Sequence, residues 1–217
     1  MSILVLLASF LVIPYFSSFD ITPTSTKTLL ATEQISLENR QPESFVNGVF
    51  KDNILLNLAY LDGRVANRDD IDWDLLREPF ISRFKLYLGE AFAFHEDVSL
   101  EHEATLAVTT NSHFNYQDGF KSDGYLMGNG VCHLASLIYW VSKEAGLDAY
   151  SPTNHDFAVI PEISREYGVA IYYMPGLVSA NARQNLYVTN NKENPVVFEF
   201  VYDGENLKLS LYEIKNL

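Results

Sequence analysis

The stretch GNGVCHLASLIYWVSKEAGL, residues 128–147, limits the possible folds more than any other part of the chain. Leu134, Leu137, Ile138, Val141 and Ala145 recur at helical spacing, which predicts a helix that begins at Cys132 and is stopped by Gly146. Tyr139 and Trp140 lie off that stripe and are also largely apolar, so the helix must be covered around most of its circumference. The C-terminal third supplies the cover. VAIYYM, NLYVTN, PVVFEFVY and NLKLSLYEI (169–174, 185–190, 195–202 and 206–214) read as strands, the last two joined through Asp203 and Gly204 as a hairpin. Leu207, Leu209 and Leu211 alternate with Lys208 and Ser210, which leaves one face of that strand to water. The expected fold class is α+β: a central helix carrying the cysteine at its N-terminus, packed on a mostly antiparallel sheet.

Upstream, VFKDNILLNLAYL (49–61) is dense in apolar residues and reads as a helix from Asp52 or Asn53, with a strand as the alternative for its second half. A short helix is expected within 68–80, ending before Pro79. FISRFKLYL (80–88) and ATLAVTT (104–110) read as strands, and 112–129 as a loop marked by Gly, Asn and Asp. The apolar run from Ile3 to Phe16 has the length of a signal h-region or short anchor. Residues 1–17 are therefore expected to be a signal peptide or membrane anchor, 18–45 a polar linker, and 46–217 one folded domain. The formal net charge of -13, with Lys and Arg forming no run, removes the electrostatic footprint of nucleic-acid binding.

Cys132 is the only cysteine, so no intramolecular disulfide can form. Gly128 and Gly130 let the chain turn tightly into the helix, where free amides and the positive end of the dipole favour thiolate over thiol. A nucleophilic thiolate also needs oxyanion donors, for which the amides around Val131 and Cys132 are candidates, and a base. His133 diverges from its neighbour on a helix. His155, in the Pro- and Asn-marked segment YSPTNHDF with Asp156 or Asn154 beside it, is the candidate base. The same residues admit plainer readings: Cys132 as a small buried hydrophobe and His155 as a satisfied loop or core histidine. Cys132, His133, His155 and Asp156 lack paired metal-ligand spacing, so neither metal nor cofactor is expected. His102, between two glutamates, reads as a solvated surface residue. Tyr125, Tyr172 and Tyr173 are candidates to line a groove for sugar or peptide.

The run GNGVCHLASLIYWVSKEAGLDAYSPTNHDF resembles the core of the VanW-like family, the accessory vancomycin-resistance proteins, whose pattern runs G-G-G-x-C-Q-x-S-T-T-L-Y, then A-G-L, then a histidine. Gly128, Gly130, Cys132, Tyr139, Ala145, Gly146 and Leu147 fall in register, and His155 stands where the histidine is expected. LGEAFAFHEDV, YYMPG and NLYVTNNKENPVVF are similar to further family segments, so the likeness spans roughly residues 80 to 214. Asn129, His133, Ala135 and Leu137 depart from the pattern, as do Leu88 and His95 upstream. The resemblance implies an extracytoplasmic protein, secreted or held at the membrane by its N-terminal segment, with peptidoglycan stem peptides as partner. It further implies cysteine-dependent, L,D-transpeptidase-like acyl transfer with Cys132 as nucleophile and His155 as base. Asp156 would orient that base, while Gly130, Val131, Ser136, Tyr125 and His133 would hold the oxyanion or substrate. The alternative is a non-catalytic module that binds peptidoglycan or glycopeptide, with Cys132 serving only in packing.

Overall fold

The computed structural model describes residues 25–216, so the expected leader over 1–17 lies outside the described residues. In chain order the elements are β1 (Ser25–Ser36), α1 (Ser44–Leu61), α2 (Trp73–Leu76), β2 (Phe80–Leu86), β3 (Ala91–Ala93), α3 (Leu100–Glu103), β4 (Leu106–Val108), α4 (Val131–Glu144), β5 (Asp148–Tyr150), α5 (Val178–Asn181), β6 (Tyr187–Thr189), β7 (Val196–Tyr202) and β8 (Asn206–Asn216). They form two four-stranded sheets, ordered β1-β8-β7-β2 and β4-β3-β6-β5. The first sheet is antiparallel throughout, and the second has one parallel pair, β3 with β4. The α+β class and the mostly antiparallel pairing agree with the sequence pattern.

The hairpin β7–β8 turns where expected. Gly204 sits at φ 108°, and Asp203 Oδ1 accepts the amides of Glu205 and Asn206 at 2.9 and 2.7 Å. Along β8, Leu207, Leu209 and Leu211 are fully buried. Lys208 on the opposite face is exposed, but Ser210 is buried and shares a 2.8 Å hydroxyl hydrogen bond with Thr32 of β1. The face expected to be wet is thus partly dry, because β1 lies beside it.

That strand overturns the expected linker. Residues 25–36 of the 18–45 stretch pair with β8, and Ile35 and Leu37 are fully buried. Ser, Thr, Glu and Gln are tolerated there because β1 is an edge strand whose outer residues need no apolar partner. α1 likewise starts at Ser44, more than two turns before the expected Asp52.

α4 lies against β1, β8, α1 and β5, and Leu134, Leu137, Ile138 and Val141 are fully buried. Each such side chain contributes about 2 kcal/mol by leaving water. Its C-terminus closes as a Schellman motif: Gly146 at φ 69° donates to Lys143 O at 3.0 Å, and Leu147 donates to Ser142 O at 3.0 Å. Phe84 of β2 joins the sheets, stacking on Phe198 at 4.3 Å and on Phe92 of β3 at 5.1 Å. One expected strand does not form. Residues 169–174 are in no sheet, since their amides are taken by side chains and by other loops.

Candidate functional site

Two glycines place the start of α4. Gly130 caps the helix at φ 102°, and a Cβ there would lie 2.6 Å from the Phe50 carbonyl oxygen of α1. Gly128, at φ 73°, would bring a Cβ within 2.8 Å of the Phe114 carbonyl. No side chain fits either position without moving backbone. The tight entry that the glycines predict is therefore present, and it puts Cys132 in the first helical turn.

The sulfur is engaged by backbone. Cys132 Sγ accepts the Ile171 amide at 3.4 Å and donates to the Ile171 carbonyl at 3.7 Å. One turn on, Ser136 Oγ donates to Cys132 O at 2.7 Å and accepts the Val169 amide at 2.9 Å. Ala170 and Tyr172, between and beside these, donate to Thr153 O and Gln184 O. The segment expected as a strand is thus strapped across the first turns of α4 by a thiol and a hydroxyl.

Although Cys132 as a residue keeps some exposure, its thiol behaves as a desolvated group, with a pKa pushed up to about 11 by burial against the smaller opposing effect of the Ile171 amide. This corrects the expected thiolate. A helix terminus contributes roughly 0.3–1 kcal/mol to an anion, whereas burial shifts a titrating group by up to about 3–5 units. Desolvation wins.

The other expected site residues are distributed unevenly. Val131 is buried, and its amide donates to Gly128 O at 3.3 Å, so it is not a free oxyanion donor. His133 is buried edge-on to Phe50, and its ring lies 6.3 Å from that of His155. Burial, then Arg40, then His155 push the His133 pKa down to about 3, and its Nδ1 has no hydrogen-bond partner among the described residues. His155 is also buried, 4.0 Å from the Phe157 ring, with a pKa lowered chiefly by desolvation. The structure therefore brings His155 to His133, and the sulfur's hydrogen bonds go to Ile171. Asp156 is exposed, and no hydrogen bond among the described residues joins it to His155. Tyr125 is 93% exposed on a turn held by Asp123, Tyr172 is exposed, and Tyr173 is half-buried.

A polar set centred on His113, a histidine among the five possible bases in the sequence, lies beside Tyr173. His113 takes Asp118 at Nδ1 (3.1 Å) and Glu96 at Nε2 (2.8 Å), with the Tyr173 ring 4.7 Å away. Burial and Glu96 raise the Tyr173 pKa to about 12. The signal was present as HFNYQD, an acid five residues after a histidine, but only the fold adds Glu96. His102, read as solvated, instead stacks on Tyr187 at 4.0 Å. Among the described residues, no group of three or more His, Cys, Asp and Glu is disposed to hold a metal.

Comparison with known proteins returns one family. The model described as VanW like protein matches residues 81–212, from β2 into β8 and through the whole of α4. No curated protein and no solved structure matches the chain.

Proposed function

The chain belongs to the VanW-like family, whose model covers well over half of it, and from that premise we propose a cell-envelope protein that binds peptidoglycan fragments without transforming them. The observation that carries this reading is the bonding of Cys132, whose sulfur donates to the Ile171 carbonyl and accepts its amide, with burial pushing the thiol pKa up to about 11. A nucleophile needs a thiolate and a base within reach. Here the sulfur serves as a rung of the strap, and His155 is packed against Phe157 and His133. An extracytoplasmic location, with the membrane reached through the N-terminal segment, belongs to the same proposal. No helix among the described residues is long and apolar enough to cross a membrane.

The second reading is cysteine-dependent acyl transfer of the L,D-transpeptidase kind on stem peptides. It is favoured by the position of Cys132 behind Gly130 in the first turn of a 14-residue helix. Sγ would attack the donor carbonyl, the leaving amine would depart with the thiol proton, and an acceptor amine would then resolve the thioester and restore the thiol. For this the Ile171 backbone must first release the sulfur, and a base must reach it.

One experiment separates the two. The protein is incubated with purified sacculi and, separately, with tetrapeptide muropeptides, and both sedimentation and products are followed. The binding reading expects saturable sedimentation, unchanged muropeptides, and equal binding by Cys132→Ala. Crosslinked or trimmed products that vanish with Cys132→Ala would replace it with acyl transfer.

A further inference from the structure

Beside α2 the surface folds inward to a cleft of about 540 Å³, bounded by α1, α2 and the loop that leads into α4. It lies outside the Cys132 neighbourhood, and none of its lining residues is a site residue expected from the sequence. Phe45, Trp73, Tyr116 and Met127 supply its apolar surface, and Arg68 and Lys121 its charge. Phe45 and Tyr116 are 70% and 58% exposed.

The cations are positioned by the fold. Asp52, buried on α1, accepts Lys121 Nζ at 2.5 Å and the Arg77 fork at 2.8 and 2.9 Å. Asn53 fixes the Lys121 amide at 2.8 Å. Lys121 Nζ then stands 3.7 Å from the Trp73 ring centroid, and the Arg68 guanidinium 3.9 Å from that of Tyr116. Arg68 donates one nitrogen to Tyr116 O at 3.1 Å, and no carboxylate among the described residues pairs with it. Its remaining donors are available in a fork that suits a carboxylate.

This combination selects a ligand class. A peptide that docks by adding a strand needs a sheet edge, and no strand lines this cleft. A flat ligand with C–H faces, hydroxyls at its rim and an acid group would lie on the aromatic rings and meet the cations at once. The volume falls within the range of small-molecule sites, about 300–1,000 Å³.

We propose that the cleft binds a carboxylate-bearing saccharide of disaccharide size, with Phe45, Trp73 and Tyr116 as platform and Arg68 and Lys121 receiving the acid. The choice of probe rests on the wall-binding reading above; the cleft and its chemistry do not. Trp73 is a built-in reporter, because the chain has 2 tryptophans and Trp140→Phe leaves it alone. Fluorescence of that variant is titrated with N-acetylglucosaminyl-N-acetylmuramic acid and with the neutral N,N′-diacetylchitobiose. The expected result is a saturable change with the acid disaccharide and about tenfold weaker binding of the neutral one. Arg68→Ala should erase that preference, and Tyr116→Ala should weaken both ligands. The absence of a saturable change with either sugar, or an unaltered preference in Arg68→Ala, would overturn the proposal. Sedimentation with sacculi keeps the two ideas apart. Normal sacculus binding by a protein that gives no saturable change with the acid disaccharide would remove the cleft but leave wall binding intact. Disaccharide binding by a protein that ignores sacculi would do the reverse.

Discussion

At the start of α4 a half-buried thiol bonded to backbone lies beside two buried imidazoles, whereas beside α2 an indole, two further rings and two cations line an open cleft. Both places are rich in residue types that carry chemistry. They differ in what their polar groups are bonded to. Cys132 and Ser136 accept the backbone amides of Ile171 and Val169, so removing them should loosen the fold. Arg68 is set over the Tyr116 ring with donors to spare, so removing it should cost little stability and affect only what the cleft can hold, whereas Lys121 also holds the buried Asp52 carboxylate. Residue type names a candidate; burial and bonding decide whether it reacts, packs or binds.

The comparison is sharpened first by acid. His133 is held neutral, with a pKa near 3 in the native protein, against about 6.5 in the unfolded chain. The unfolded state therefore takes up a proton that the folded state refuses. The stability this confers is complete above about pH 6.5 and is lost as pH falls toward 3, by roughly 4 kcal/mol. Urea midpoints at pH 7 and pH 4 should separate widely in the native sequence and much less in His133→Leu. Equal separations would mean the ring is not packed as described.

Next comes Gly130→Ala, which sets a Cβ against the Phe50 carbonyl at a left-handed φ. We expect a loss of about 3 kcal/mol in denaturant unfolding. A cost below about 1 kcal/mol would break the claim that the helix entry is fixed by backbone contact. Ser136→Ala leaves the Val169 amide without its acceptor; the expected loss is about 2 kcal/mol, with no change in sacculus sedimentation. The smallest effect belongs to the open region. Tyr116→Ala should alter stability by less than about 0.5 kcal/mol, and a large loss there would erase the contrast between the two regions.

Much of the fold was legible for physical reasons. The apolar stripe of α4, its Gly146 stop and the Asp203–Gly204 turn are local signals that tertiary packing did not override. β1 was missed because an edge strand can be polar on its outer face, and Thr32 and Ser210 satisfy each other there. The strap at 169–174 has strand composition but spends its amides on Ser136 and Cys132, an arrangement that no period announces. At the candidate site, the glycines and the helix start were readable. The sulfur's desolvation was not, since it depends on a segment almost forty residues away in sequence. The cleft was invisible for the same reason: Phe45, Trp73 and Tyr116 come from three separate parts of the chain.

The central claim is that Cys132 is a structural thiol, and its alkylation rate against pH tests that most directly. With iodoacetamide on the folded protein, the account predicts slow labelling at neutral pH, rising only as pH approaches 11, and fast labelling once the chain is unfolded. Rapid labelling of the native protein at pH 7, with a midpoint below the ordinary cysteine value of about 8.5, would contradict it and return the sulfur to catalysis.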